Sequence, residues 1–319
     1  MSAVTLVLDL LAVKPIAVFV WWFSTRANTI DFPERAELRQ RIDRALAAGR
    51  PVLLASNHVS WFDDPVIPIA LYRTGQRALL ELAALVSLIA LCWALPPAIL
   101  PHPLGVAASL AGAAASARFG VRKVWWTLGD LVNLSDASVL RGKLALTRGA
   151  PPGWLQRAAL RIADPTIRFF MRTGSVKTVL VDRRPGEDAK RTRDRAVAET
   201  LEIAERLEPI WVFFEGGRSK RIGEIAPARR GIGSLVLGLR ERGHRPLVVA
   251  LYHRGMERLI PPGAPRFLSY GHRVAVRWSE LDVDASEAAG SADPQAIADA
   301  VRAEVVRLKP ASELEEERA

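Results

Sequence analysis

Short apolar runs recur along the chain at Val52–Ala55, Val179–Asp182, Trp211–Phe214, Leu247–Tyr252 and Val274–Trp278. They are rich in β-branched and aromatic residues, as buried strands are. Amphipathic stretches lie between them. Residues 34–48 carry an apolar stripe and stop at Gly49, residues 189–207 are charged along one face, and residues 294–308 open with Asp293 as cap and Pro294 at the first helical position. Strand alternating with helix predicts an α/β fold: a central, mixed but mainly parallel sheet covered by helices. No internal repeat is present.

Two segments break this rhythm. Residues 4–23 are apolar but contain Asp9, Lys14 and Pro15. They lack the basic start and small-residue cleavage site of a signal peptide, and the charges and Pro argue against a clean membrane span. Trp21 and Trp22 at the far end suit a membrane interface. The second segment, Leu82 to Ala117, has no formal charge and divides at the Pro-rich stretch 96–103. Each arm has about 14 residues, roughly 21 Å of helix, short of the ~30 Å hydrocarbon core. A hairpin dipping into one leaflet is expected, with an apolar pair packed on the protein's own sheet as the rival. The expected layout is an N-terminal membrane-interface helix at 1–30, a catalytic domain at 31–309 with the apolar insert at about 79–117, and an acidic tail at 310–319.

Composition narrows the partners. With 44 Lys and Arg against 34 Asp and Glu, the net charge is +10. Such a balance suits anionic lipid, nucleic acid or a phosphorylated small molecule. Nucleic acid is set aside, because no binding motif occurs and aromatics are not interleaved with the basic runs. The lone Cys92 rules out a disulfide framework within the chain and a thiolate metal cluster, and the five His, at 58, 102, 244, 253 and 272, have no metal-ligand spacing. No bound metal is expected.

The stretch SNHVSWFDDP, residues 56–65, follows directly on an apolar strand. A helix beginning near Ser60 makes Ser60 and Asp63 a capping box, with the acid reaching back to the cap. That alone accounts for Asp63, and His58 is then a loop histidine at the sheet edge. Loops beyond strand ends are also the usual home of α/β active sites.

Three further blocks follow in order: VLVDRR at 179–184, FFEGGRS at 213–219 and LVVALYHRGM at 247–256. Together with NHVSWFDDP they resemble the four motifs of the glycerolipid acyltransferases of the 1-acylglycerol-3-phosphate type. The tafazzin-like branch is nearest. It is similar at Asp63-Asp64-Pro65, at WWTLGD (125–130), at RRGIGSLV (229–236) and at His253-Arg254-Gly255-Met256. The similarity covers about half the chain, in islands. Phe214 and Gly217 depart from the usual Pro and Thr of the third motif.

The resemblance implies a membrane-associated enzyme that moves a fatty acyl chain onto the free hydroxyl of a lysophospholipid such as lysophosphatidic acid. His58 is the expected general base, because an alcohol is a poor nucleophile at neutral pH and His titrates near it. Asp63 is expected to fix the imidazole tautomer. Asn57, Arg183, Glu215, Gly216 and Arg218 are the expected substrate-binding residues, the two Arg for the phosphate and the glycine amides for the oxyanion. Lys220 and Arg221 add field strength, and His253 reads as a structural histidine. No bound cofactor is expected; acyl-CoA or acyl carrier protein thioester is the co-substrate. The partners are membrane phospholipid, lysophospholipid and the thioester donor, and the oligomeric state is left open. The expected location is monotopic on the cytoplasmic face of the inner membrane.

Three alternatives stand beside this reading. A tafazzin-like transacylase takes the acyl chain from another phospholipid. A metal-dependent phosphoesterase uses His58, Asp63, Asp64 and Glu215 as ligands, against which stands the lack of a second His pair. A non-catalytic membrane scaffold needs the apolar insert and basic face but not the His-Asp pair.

Overall fold

Each apolar run that reads as a strand lies in one seven-stranded sheet. The computed structural model describes residues 18–19, 22–60, 63, 67, 70–71, 79–80, 83, 86, 125–130, 176–181, 187–217, 223–258, 270–283 and 292–310. The strands are β1 (Thr29–Asp31), β2 (Val52–Ser56), β3 (Trp125–Asp130), β4 (Val176–Val181), β5 (Ile210–Phe213), β6 (Leu247–Arg254) and β7 (Arg273–Leu281), in the spatial order β1-β7-β6-β2-β5-β3-β4. Strands β6, β2, β5, β3 and β4 run parallel. Strand β7 runs antiparallel to β6 and carries β1 parallel to itself at the edge. The sheet is mixed and mainly parallel, as the alternation predicts.

Central strands buried on both faces explain the near-continuous apolar runs. All of β2 and β5 is buried. Alternate residues divide between two cores. Leu53 and Ala55 of β2 join Val212 and Val248 on one face; Val52 and Leu54 join Trp211 and Val249 on the other. The helices are α1 (Arg35–Ala47), α2 (Glu187–Glu205), α3 (Gly231–Glu241) and α4 (Pro294–Arg307). The first face is covered by α2, α3 and α4. The second is covered by α1, by the helical positions Ile67 and Leu71, and by Phe23 from a π-helical turn at Phe23–Ala27. Asp293 caps α4 by accepting from the Gln295 N–H at 2.9 Å, with Pro294 next in line, as the sequence indicates.

Two strands and one helix go beyond the reading of the pattern. Strand β1 has three residues. It is tied to the edge by Asp31, which accepts from Arg273 at 2.9 Å and Arg277 at 3.0 Å. Strand β3 is the WWTLGD block, read above as a motif only. Helix α3 contains Gly231, Gly233 and Gly238 and has no side-chain cap. The expected N-terminal unit at 1–30 also changes: β1 begins at Thr29, so the sheet starts inside it. Residues 1–17, the acidic residues 311–319 and most of the apolar insert lie outside the described residues. No described helix is long and apolar enough to cross a membrane.

Candidate active site

In a parallel sheet the carboxyl ends of neighbouring strands meet at one edge. Ser56 at the end of β2 pairs with Phe213 of β5 and Leu251 of β6. The residues just beyond are therefore neighbours: Asn57 and His58 after β2, Phe214 and Glu215 after β5, and His253 near the end of β6. The Phe214 N–H extends the ladder to Ser56 O at 3.3 Å. The Trp211 indole N–H donates to Ser56 Oγ at 2.7 Å, pinning the last residue of β2 from beneath.

The loop after β2 turns around one carboxylate oxygen. Asp63 Oδ2 accepts from the Val59 N–H and the Ser60 N–H, each at 2.8 Å, and lies 3.0 Å from His58 Nδ1. The capping box and the His-Asp pair are thus the same oxygen doing two jobs. The first two bonds terminate the helix, and the third fixes the imidazole. Because a carboxylate only accepts, Nδ1 carries the hydrogen and Nε2 keeps its lone pair. A base needs that tautomer.

Asp63 is fully buried, and its other oxygen, Oδ1, has no hydrogen-bond partner among the described residues. Burial pushes its carboxyl up to about 6, against the pull of His253 and the two backbone amides. His58 keeps 16% of its side-chain surface exposed, so the imidazole reaches solvent. Its flat face stacks on Phe213, with ring centres 4.0 Å apart and planes 20° apart. Carboxylate at the edge and aromatic ring at the face leave the imidazole one orientation. A protonated imidazole there gains from both neighbours.

The other expected site residues separate into groups. The Asn57 side chain is buried and committed: Nδ2 donates to His253 O at 2.8 Å, and Oδ1 accepts from His253 N at 3.0 Å. It ties the loop to β6 rather than turning to a substrate. Gly216 adopts φ +69°, where a side chain is strained, and a Cβ there sits 2.9 Å from the Arg229 side chain. Its N–H is taken by Phe213 O at 3.0 Å, so it closes the turn instead of pointing at an oxyanion. Glu215 is buried at the same strand end. Arg183 and Arg218, with Lys220 and Arg221, lie outside the described residues.

Two further residues of this site lie in blocks that the resemblance covers, but neither is among the expected substrate-binding or catalytic residues. Arg229 lies across the Gly216 turn and binds it through its own N–H to Phe214 O at 2.7 Å. His253 lies fully buried behind Asp63. No cluster of three His, Cys, Asp or Glu among the described residues is placed to hold a metal ion.

A family model described as Acyltransferase matches residues 136–252, a little over a third of the chain. The match takes in β4, α2, β5, α3 and most of β6, with the Asp-Arg and Glu-Gly-Gly-Arg blocks. It begins after His58 and Asp63. A solved structure that covers 95% of this chain, and is itself covered over 90%, is the crystal structure of the 1-acyl-sn-glycerophosphate (LPA) acyltransferase, PlsC, from Thermotoga maritima; identity is 14% and the TM-score 0.36. No curated protein sequence matches the chain.

Proposed function

We propose that the chain is an acyltransferase, as the match over residues 136–252 supports, and that it transfers a fatty acyl group from an acyl thioester to the free hydroxyl of a lysophospholipid, lysophosphatidic acid or a close relative. The observation that carries this reading is the His58–Asp63 pair at 3.0 Å, with Nδ1 held by the carboxylate and 16% of the His58 side chain still exposed at the strand ends.

The steps follow from that geometry. Nε2 of His58 takes the hydroxyl proton as the oxygen attacks the thioester carbonyl carbon. The new C–O bond forms, and the carbonyl electrons move to oxygen. Collapse of this intermediate breaks the C–S bond, and the imidazolium returns the proton to the leaving thiolate. Asp63 stays ionised throughout and stabilises the imidazolium. No covalent acyl-enzyme is needed. Arg183 and Arg218 are assigned to the lipid phosphate, where a planar guanidinium binds oxygen pairs well. Glu215 orders the strand-end turn or accepts from the glycerol hydroxyl.

The donor is acyl-CoA or acyl carrier protein thioester. A second reading, transacylation from a phospholipid, draws support from the blocks at Asp63-Asp64-Pro65 and His253–Met256 that resemble the tafazzin-like branch. The protein is assigned to the cytoplasmic face of the inner membrane as a monotopic enzyme. Supporting the membrane contact, though not the choice of face, are Phe19, Trp22 and Tyr270, each 42% exposed or more and joined in one aromatic group with Phe23. Such rings suit a headgroup boundary.

The test is purified full-length protein on vesicles holding labelled lysophosphatidic acid, given acyl-CoA, acyl carrier protein thioester or phospholipid as sole donor. Labelled diacyl product with either thioester supports the first reading. Product with phospholipid alone transfers the assignment to the second, and no product with any donor contradicts both.

A further inference from the structure

We propose that His253 is a positioning residue of the His58–Asp63 pair, setting the loop that carries His58 and presenting an N–H edge to the Asp63 carboxylate. This rests on the reading above that His58 is the base.

Three hydrogen bonds join His253 to Asn57. Two use the His253 backbone and the Asn57 amide, at 2.8 and 3.0 Å. The third runs from the His253 ring, whose Nε2 lies 2.8 Å from Asn57 O. A carbonyl accepts only, so Nε2 carries the hydrogen. Asn57 O belongs to the peptide that enters His58, so this bond sets the orientation of the catalytic residue's own backbone.

The same nitrogen lies 3.8 Å from Asp63 Oδ2. That oxygen already accepts from Val59, Ser60 and His58. The polar edge of His253 is thus a further source of positive potential for a carboxylate that is cut off from water. Burial holds the His253 imidazole below its ordinary value, which keeps it neutral. A neutral ring supports the carboxylate without competing with His58 for the proton. Glu257, from the turn after β6, also acts on Asp63, and its carboxylate opposes ionisation. Glu257 Oε2 accepts from the Gly255 N–H at 2.8 Å.

Holding the loop does not by itself call for an imidazole. The Asn57 side chain already bonds both backbone groups of residue 253, whatever its side chain. The ring has no exposed surface, and its Nδ1 has no hydrogen-bond partner among the described residues. An aliphatic side chain fills such a place without a buried unsatisfied nitrogen. What the ring adds is the donor at Nε2, directed at Asn57 and flanking Asp63.

Three variants of the full chain separate these roles: His253→Gln, whose amide nitrogen reaches about as far as Nε2; His253→Asn, whose amide falls short; and His253→Leu, which packs but cannot donate. Each is measured for acyl transfer from acyl-CoA to lysophosphatidic acid, for thermal midpoint, and for the titration of His58 by NMR of protein with 15N-labelled histidine. The Gln variant is expected within about threefold of wild-type kcat, and the Asn and Leu variants to lose about 10–100-fold, as removal of an outer partner typically does. KM is expected to stay within about threefold. In the Asn and Leu variants the less stabilised carboxylate binds its proton more readily. The pair therefore protonates at higher pH, by about half a unit or more.

Wild-type kcat and an unmoved His58 titration in the Leu variant overturn the proposal. So does a uniform loss in all three variants that tracks a lowered thermal midpoint. If the wild type transfers no acyl group yet His58 titration moves in the Asn and Leu variants and not in the Gln variant, the positioning role stands and the proposed reaction falls.

Discussion

At the scale of single residues, one carboxylate answers two readings of the sequence. Asp63 reads as a helix cap or as the partner of His58, and Oδ2 does both. Its burial has an energetic consequence. The carboxyl sits near 3.8 unfolded and about 6 folded. The folded state therefore binds the proton more tightly, and stability falls as pH rises through that window. At neutral pH the penalty is about 3 kcal/mol, at 1.36 kcal/mol per pKa unit. Asp63→Asn is expected to unfold at a higher temperature than wild type at pH 7.5 and at nearly the same temperature at pH 4. It is also expected to lose most of its activity, because tautomer control is gone; calorimetry beside a rate assay checks both. In the wild type the same titration predicts that kcat declines as pH falls below about 6. Phe213 offers a milder test. Phe213→Leu keeps an apolar side chain but removes the stacked face from His58. A loss of about 1–2 kcal/mol of imidazolium stabilisation corresponds to roughly 5–30-fold in kcat, with KM little changed.

At the scale of elements, the central strands β2, β5 and β6 were legible because near-complete burial leaves mostly apolar residues, and the long helices because one face is solvated. The misses have physical causes. Strand β1 is too short for any period to show; Asp31 is held by two Arg of β7, and Ile30 packs only partly buried against the core. Helix α3 is hidden by its glycines, which are poor helix formers. The structure shows why they are there. A Cβ at Gly233 falls 1.8 Å from Pro294 O of α4, and one at Gly238 falls 2.8 Å from Leu201 of α2. Close approach to neighbouring helices has overridden propensity. Gly233→Ala is accordingly expected to destabilise by about 1–3 kcal/mol through overpacking, read as a lower midpoint in urea, even though alanine is the better helix former. Helix α4 also holds the loop behind the Glu215 turn. Arg302 donates to Ala226 O and Ile225 O, each at 3.1 Å, and Gln295 to Ala228 O at 3.1 Å. Nothing in sequence spacing announces these contacts, because they join segments 67 to 77 residues apart. His253 reads as a structural histidine in the sequence, but its partner is not legible there, for the same reason: Asn57 is 196 positions away.

At the scale of the whole molecule, the parallel topology brings three distant blocks to one edge. The loops after β2, β5 and β6 meet there because those strands are adjacent and in register. The motif blocks were legible along the chain, and the fold brings three of them to one edge, while their inner contacts waited for the fold. If the protein binds a membrane as proposed, the exposed group of Phe19, Trp22 and Tyr270 is the surface that meets lipid, and the net charge of +10 favours an anionic one. Replacing Trp22 and Tyr270 together by Ala is expected to weaken partition onto anionic vesicles by about tenfold, from about 1–2 kcal/mol of lost ring burial. Flotation assays read that change, and raised salt is expected to weaken binding of both proteins as the net positive charge is screened.

The central claim is that a lipid hydroxyl gives its proton to His58. It is met most directly by single-turnover transfer from labelled acyl-CoA to lysophosphatidic acid in vesicles, comparing wild type with a folded His58→Ala variant. Loss of the base is expected to slow the chemical step by about 10²–10⁴-fold, with vesicle binding and thermal midpoint unchanged. A His58→Ala enzyme that keeps more than about a tenth of the wild-type rate would contradict the account.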